Sequence, residues 1–213
     1  LALGGGCEIA LHADKVVASA ETYTGLVEVG AGVIPGGGGT KEFALRMSDE
    51  TFDGDIELPA LKNKFLTIGM ARVSTSAAEA FDLGFYKKGR DKIVVNPDRQ
   101  ISEAKSTVLE MANGGYTQPL ERKDIRVLGR QGLGMVYAGA YTMYSGKYIT
   151  EHDKLISEKL GYVLCGGDLS SKTLVSEQYL LNLEREAFLS LLGEKKSLER
   201  IQSILTTGKP LRN

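Results

Sequence analysis

Two glutamates stand next to glycine-rich segments, and they are the residues of this sequence best suited to chemistry. Glu8 follows the triplet in LALGGGCE, and Glu28 lies twenty residues further on, in LVEVGAGVIPGGGGT. The amides of Gly5 and Gly6 are predicted to lie at the start of a helix, where backbone donors are unpaired and the helix dipole is positive. These amides could face an oxygen that gains negative charge, and they would then form half of an oxyanion hole.

The two carboxylates have different predicted surroundings. Glu8 falls in the first helical turn, where the dipole favours the ionised form and keeps the carboxylate competent as a base. Glu28 is flanked by Val27 and Val29, and apolar neighbours favour the protonated form of a carboxyl group. Two carboxyl groups in unlike environments suit base and acid roles at a carbon next to a carbonyl.

Phosphate-binding loops explain the glycines less well. A dinucleotide fingerprint, G-x-G-x-x-G, starts at Gly30 and Gly32 but has Pro35 where the third glycine belongs. A Walker-type loop needs lysine followed by serine or threonine, whereas Thr40 precedes Lys41. Residues 36–39 could equally form a turn that only reverses the chain.

Other reactive side chains are predicted to be structural. Cys7 has no histidine placed to activate it and is expected to be a small buried thiol. Cys165, before a glycine pair, is predicted to pack beside a turn, and His12 to be structural. His152 lies in the charged run EHD without a second ligand at metal spacing, so we expect a solvated surface histidine.

The elements that must position Glu8 and Glu28 follow from apolar periodicity and from capping signals. In the first part of the chain we predict a helix over GCEIALHAD, a strand at 15–18, a turn or short helix at 22–25, a helix over KEFALRM capped by Thr40, a helix at 61–72, a helix from the capping box at Ser76 to Gly84, a strand at 93–95 and a helix at 99–113. After Tyr116 we predict amphipathic helices alone, at 133–144, 152–164, 176–192 and 197–207.

Composition excludes several functional classes. The 213 residues carry a net charge of −1, which provides no field for nucleic acid or an anionic membrane. No apolar run approaches a membrane span. Two cysteines suit a reducing compartment, so we expect a cytoplasmic protein without a membrane or nucleic-acid partner. Because the sequence opens on Leu1 and runs at once into a glycine cluster, we expect a piece of a longer chain.

The segments LALGGGCEIALHAD and GLVEVGAGVIPGGGGT closely resemble the central block of the crotonase (enoyl-CoA hydratase/isomerase) superfamily. In that family the middle glycine of the triplet supplies an oxyanion amide and two glutamates follow, at positions that correspond here to Gly5, Glu8 and Glu28. Two glutamates are typical of the hydratase branch. The later segment VSTSAAEAFDLGF is also similar, so the resemblance extends from residue 1 to about residue 112.

The resemblance implies an α/β fold. Residues 1–115 would be the C-terminal half of a crotonase-type (ClpP/crotonase) core, helix-rich and with an acidic surface insertion at 47–59. Residues 116–213 would be an all-α C-terminal extension. The chain looks like the C-terminal hydratase part of multifunctional 3-hydroxyacyl-CoA dehydrogenases of fatty-acid β-oxidation, whose NAD-binding half would lie upstream.

The resemblance also implies a mechanism, the hydration of an enoyl-CoA thioester. The carbonyl oxygen would face the Gly5 amide, Glu8 would activate a water for attack at C3, and Glu28 would deliver a proton to C2. Gly36 would support the water site, and the hydratase step would need no metal or redox cofactor. NAD would serve the dehydrogenase half.

Departures from the family pattern lead to further expectations. Val27 stands where proline is usual, and Gly37 replaces a common alanine. The family's second oxyanion amide and most of its CoA pocket lie upstream of the triplet, so this piece by itself is expected to be inactive. Acyl-CoA is the expected partner, together with other copies of the chain through the C-terminal helices. The alternative is a degenerate crotonase scaffold that acts as an acyl-CoA-binding or oligomerisation module.

Overall fold

A short strand followed by a helix carries the glycine triplet. The computed structural model describes residues 1–213. Strand β1 (Ala2–Leu3) pairs in parallel with β3 (Thr24–Gly25), and helix α1 (Gly5–His12) begins directly after β1. Gly4, between them, has a φ of 55°, which glycine adopts without the steric penalty of a Cβ. This turn places the first amides of α1 at the end of the strand pair.

A second parallel pair of strands, four α-helices and two 3-10 helices make up the rest of the first part of the chain. Strand β2 (Val17–Ser19) pairs with β4 (Lys92–Val94). The other elements are the 3-10 helix Glu28–Ala31, α2 (Gly39–Asp49), α3 (Leu58–Gly69), α4 (Ala77–Asp82), the short 3-10 helix Pro97–Arg99 and α5 (Gln100–Asn113). The predicted insertion at 47–59 comprises the last turn of α2, the connection 50–57 and the first residues of α3.

The C-terminal part is helical but not entirely so. Its elements are β5 (Ile125–Val127), α6 (Arg130–Ser145), α7 (Glu151–Leu164), β6 (Thr173–Val175), α8 (Glu177–Leu192) and α9 (Lys195–Thr207). Strands β5 and β6 pair antiparallel, so the prediction of an all-α extension is wrong. Strands of three residues are too short to show a periodicity, and they are stabilised by pairing with distant residues.

Three local predictions also differ from the structure. Residues 22–25 contain strand β3 rather than a turn or short helix, because their backbone pairs with β1. Helix α2 is preceded by Gly38 as its N-cap, and the Thr40 hydroxyl donates instead to the Pro35 carbonyl. Ser76 caps α4 as predicted, but the Glu79 carboxylate binds the backbone of Thr75, so the capping box is only half formed.

One hydrophobic core joins the two parts of the chain. A cluster of 31 buried residues includes side chains of α1 and α2 together with side chains of α7 and α8. Helix α2 packs against both α7 and α8. Buried Arg46 of α2 donates to the carbonyls of Leu11, Gly84 and Phe85. The C-terminal helices therefore lie directly against the elements that carry the glycine-rich segments. None of the helices has both the length and the apolar character that a membrane crossing requires.

Candidate active site

The first turn of α1 presents backbone amides that have no partner. The amides of Gly5 and Gly6 donate to no acceptor in the protein, and both residues are exposed. A Cβ added at either glycine would meet nothing within 4 Å. Open space therefore lies beside donors at the positive end of a helix dipole, where an anionic oxygen is stabilised.

Glu8 is held by the glycine-rich loop that precedes α2. Its side chain is buried, and Oε1 accepts hydrogen bonds from the amides of Gly37 (2.8 Å) and Gly39 (2.9 Å). A Cβ on Gly37 would lie 2.6 Å from Glu8 Oε2, so the close approach of loop and carboxylate depends on glycine. Hydrogen bonds from two amides fix the orientation of the carboxylate and are strengthened by its charge.

Glu28 has the opposite environment, as its apolar neighbours predicted. Its Oε2 is buried and has no hydrogen-bond partner. Burial, together with the smaller effect of the negative charge of Glu8, raises the pKa of the Glu28 carboxyl to about 7. A Cβ on Gly4 would lie 3.2 Å from Glu28 Oε1, so this carboxyl group lies against the glycine triplet. Glu28 can thus carry a proton near neutral pH.

The structure therefore groups Glu8, Glu28 and the triplet but gives Gly36 a different neighbour. No hydrogen bond joins Gly36 to either carboxylate, and the amides that reach Glu8 belong to Gly37 and Gly39. A Cβ on Gly36 would lie 2.6 Å from the ring of Phe188 on α8. Gly36 thus allows α8 to pack closely on the loop.

Sequence reasoning missed one residue of this region, Glu184. It lies on α8 with 1% of its surface exposed. Its Oε1 accepts from the Gly38 amide (2.6 Å) and its Oε2 from the Lys41 amide (2.8 Å). Leu180 and Ala187 of the same helix are also buried. The available signal was a carboxylate on the apolar face of a helix, because such a residue needs a buried partner.

The prediction for His152 is wrong, whereas those for the cysteines are confirmed. His152 is 3% exposed, and its Nε2 lies 2.9 Å from the hydroxyl of Ser197. The charged run around His152 concealed a buried helix face. Cys7 and Cys165 are free, buried thiols, and burial raises the pKa of the Cys7 thiol to about 11. His12 Nδ1 lies 2.7 Å from the carbonyl oxygen of Glu8, a contact within α1 that fits a structural role.

The described residues do not form a metal centre or a dinucleotide cradle. No three His, Cys, Asp or Glu side chains are arranged to hold a metal ion. The segment at Gly30 begins within a 3-10 helix and reaches α2 only at Gly39, whereas a dinucleotide fingerprint passes directly from a strand into a helix.

Several curated proteins share sequence with this chain, although no family model matches it. Over its whole length the chain is 44% identical to the "Probable 3-hydroxyacyl-CoA dehydrogenase" of Bacillus subtilis (strain 168), of which it spans 26%. It is 33% identical over 118 residues to the short-chain-enoyl-CoA hydratase of Clostridium acetobutylicum, a match that covers 53% of this chain and 34% of that protein. The chain thus spans between a quarter and about a third of these relatives.

The fold is shared with a solved structure. The crystal structure of carnitinyl-CoA hydratase from Mycobacterium avium superposes on 98% of this chain with a TM-score of 0.51 and 18% sequence identity. The superposed region is 57% of that protein's chain. The predicted α/β half-fold is therefore confirmed.

Proposed function

We propose that this chain, a homologue of the crotonase-superfamily enoyl-CoA hydratases, is the hydratase region of a longer 3-hydroxyacyl-CoA dehydrogenase of fatty-acid β-oxidation. The reaction is the syn addition of water to a 2-enoyl-CoA thioester. One observation carries the proposal: a carboxylate fixed by two loop amides, Glu8, and an unpartnered carboxyl group with a raised pKa, Glu28, lie beside the same glycine triplet.

In the proposed mechanism the thioester carbonyl oxygen accepts a hydrogen bond from the Gly5 amide, which polarises the double bond. Glu8 takes a proton from water as the water oxygen bonds to C3. The electron pair of the double bond moves toward the carbonyl, and C2 takes a proton from Glu28. A carboxyl group with a pKa near 7 is suited to this donation at neutral pH. The sum of these steps is the addition of one water molecule.

The hydratase step is proposed to need no metal or redox cofactor, and NAD would serve the dehydrogenase half of the longer protein. A second oxyanion amide and most of the CoA pocket would come from residues outside this chain. We therefore propose that the chain by itself is inactive. Open space beside the amides of Gly5 and Gly6 is consistent with a site that other residues complete.

Location and assembly are also part of the proposal. A cytoplasmic protein is consistent with two free thiols. Assembly with other copies through the C-terminal helices is supported by α6, whose exposed tyrosines include Tyr137, Tyr141 and Tyr144. Tyrosine is enriched in protein interfaces, because its ring offers a large contact area at a low entropic cost.

The decisive test is the hydration of crotonyl-CoA by the full-length protein that contains this sequence. Glu8→Gln and Glu28→Gln should each lower kcat by about a hundredfold or more, the scale of losing one electrostatic contact to a transition state. Glu21→Gln, at an exposed position between them, is the matched control and should retain wild-type turnover. Wild-type turnover in both active-site variants would refute the assignment. Tight acyl-CoA binding without turnover in the wild type would instead support the alternative, an acyl-CoA-binding scaffold.

A further inference from the structure

Two carboxylates from distant parts of the chain bind the same loop, defined here as residues 37–41, whose last three residues form the first turn of α2. Glu8 of α1 accepts from the amides of Gly37 and Gly39. Glu184 of α8 accepts from the amides of Gly38 and Lys41. The amides of residues 37, 38 and 39 thus point alternately toward α1 and α8, and the Lys41 amide points toward α8.

The side chain of Glu184 forms hydrogen bonds with this loop alone. It forms no ion pair, and the ammonium group of Lys41 binds Glu42 and Glu177 instead. Because Glu184 is buried, its loss would leave two amide donors without water or another acceptor, which destabilises the conformation that they hold. The contact of Glu184 therefore holds the backbone of the loop in one orientation.

The loop depends on outside contacts for its conformation. Residues 36–39 are all glycine, and glycine has little intrinsic preference for one backbone conformation over another. Each peptide group is planar, so rotation at Gly37 turns the Gly37 amide relative to the Gly38 amide, and rotation at Gly38 turns the Gly38 amide relative to the Gly39 amide. Fixing Gly38 and Lys41 therefore also fixes the two donors that bind Glu8.

We propose that Glu184 is a positioning residue for Glu8, which it orients through the amides of the loop 37–41. This inference rests on the proposed hydration reaction, in which Glu8 activates the water. It assigns α8, and thus the C-terminal part of the chain, a direct role in that reaction.

The charges around Glu184 give the contact a pH dependence. The pKa of Glu184 is raised to about 7, chiefly by burial and also by the charge of Glu8, against the lowering effect of the Lys41 and Gly38 amides and of the Lys41 charge. The groups that face this part of the loop are Glu8 and His12 from α1 and Lys41 from α2. A protonated carboxyl group has fewer acceptor sites than a carboxylate, so the amides of Gly38 and Lys41 bind the ionised form better, while burial makes ionisation of Glu184 costly for the folded state as a whole.

The kinetic test uses the full-length protein and the substitution Glu184→Gln, which keeps the shape of the side chain but removes one acceptor. We expect kcat for crotonyl-CoA hydration to fall by about tenfold to a hundredfold, since small misplacements of catalytic groups have effects of this size. KM should change little, because Glu184 does not reach the open space beside Gly5. The acid limb of the plot of kcat against pH should also shift in Glu184→Gln relative to the wild type. The matched control is Glu186→Gln, at an exposed position on the same helix. Its kcat, KM and pH profile should equal those of the wild type.

The outcomes separate this inference from the proposed function. Loss of turnover in Glu8→Gln together with wild-type kcat and pH profile in Glu184→Gln would overturn the positioning role and leave the hydration proposal intact. Full turnover in Glu8→Gln would refute the hydration proposal itself. Equal losses of kcat in Glu184→Gln and Glu186→Gln would also overturn the inference, because the effect would then not depend on the contact between Glu184 and the loop.

A second measurement does not depend on activity. Hydrogen–deuterium exchange of full-length protein, followed by mass spectrometry, should show about tenfold faster exchange in Glu184→Gln for peptides covering 37–41. Peptides of α6, and all peptides of Glu186→Gln, should be unchanged. Should Glu184→Gln fail to fold, Glu184→Asp takes its place, because it keeps the charge but withdraws the carboxylate from the amides of Gly38 and Lys41. It should show the same faster exchange in peptides covering 37–41, and unchanged exchange there would overturn the inference.

Discussion

The hydroxyl of Ser197 donates a 2.6 Å hydrogen bond to the carbonyl oxygen of Gly32. Gly32 directly follows the 3-10 helix that begins at Glu28, and a Cβ there would lie 2.8 Å from the Cα of Ser197. Helix α9 therefore lies against the segment that carries Glu28, just as α8 contacts the loop that binds Glu8. Both proposed catalytic carboxyl groups are supported by helices of the C-terminal part.

Substitution of Ser197 tests this contact. Ser197→Ala leaves the Gly32 carbonyl and the His152 ring without their shared partner in a buried site, so the free energy of unfolding should fall by about 1–3 kcal/mol. Urea denaturation measures the change. Ser102→Ala, at an exposed position, should stay within about 0.5 kcal/mol of the wild type. Equal stabilities of the two variants would contradict the prediction.

Alanine at Gly37 should disturb the proposed base without unfolding the protein. Its Cβ would lie 2.6 Å from Glu8 Oε2, so the carboxylate must move away from the loop amides. We expect kcat for crotonyl-CoA hydration by the full-length protein to fall by about tenfold or more. The matched control is Gly30→Ala, whose Cβ would meet nothing within 4 Å. Identical kinetics in the two variants would show that the close approach of the Gly37 backbone is not required.

The contact between α6 and α7 should tolerate no side chain at Gly161. A Cβ there would lie 2.4 Å from Val136 Cγ1, and such overpacking typically costs about 1–3 kcal/mol. In Gly139→Ala on α6 the Cβ would meet nothing within 4 Å, so the higher helix propensity of alanine should stabilise that variant by up to about 1 kcal/mol. Thermal unfolding should rank Gly139→Ala above the wild type and Gly161→Ala below it. The reverse order would refute this description of the packing.

The raised pKa of Glu184 predicts how its effect on stability varies with pH. The pKa of Glu184 is about 7 in the folded protein, against an ordinary value of 4.5. Between these values the folded state binds more protons than the unfolded state, so this carboxyl group lowers the free energy of unfolding as the pH rises. Urea denaturation from about pH 4.5 to about pH 7 should therefore show the wild type losing stability relative to Glu184→Gln. A difference that stays constant or grows in favour of the wild type would contradict a raised pKa.

Most helices could be predicted from the sequence because their signals are local. Helix α8 was expected at 176–192 and lies at Glu177–Leu192, since apolar periodicity and a serine cap define both its extent and its start. The strands were harder. Strands β3, β5 and β6 contain two or three residues each, and backbone pairing with distant residues, which no local pattern reveals, defines them.

The sequence by itself determined the chemistry of the two proposed catalytic residues. Glu8 follows a glycine triplet in a first helical turn, and Glu28 has valine on both sides. The difference between the surroundings of the two carboxyl groups could therefore be deduced from their neighbours along the chain. Only the tertiary structure decided which groups hold Glu8 and Glu28 in place. The contacts of Glu184 with the loop and of Ser197 with Gly32 join residues more than a hundred positions apart. Such contacts exist only because α8 and α9 pack against the first part of the chain, and packing of this kind leaves no periodic trace in either segment.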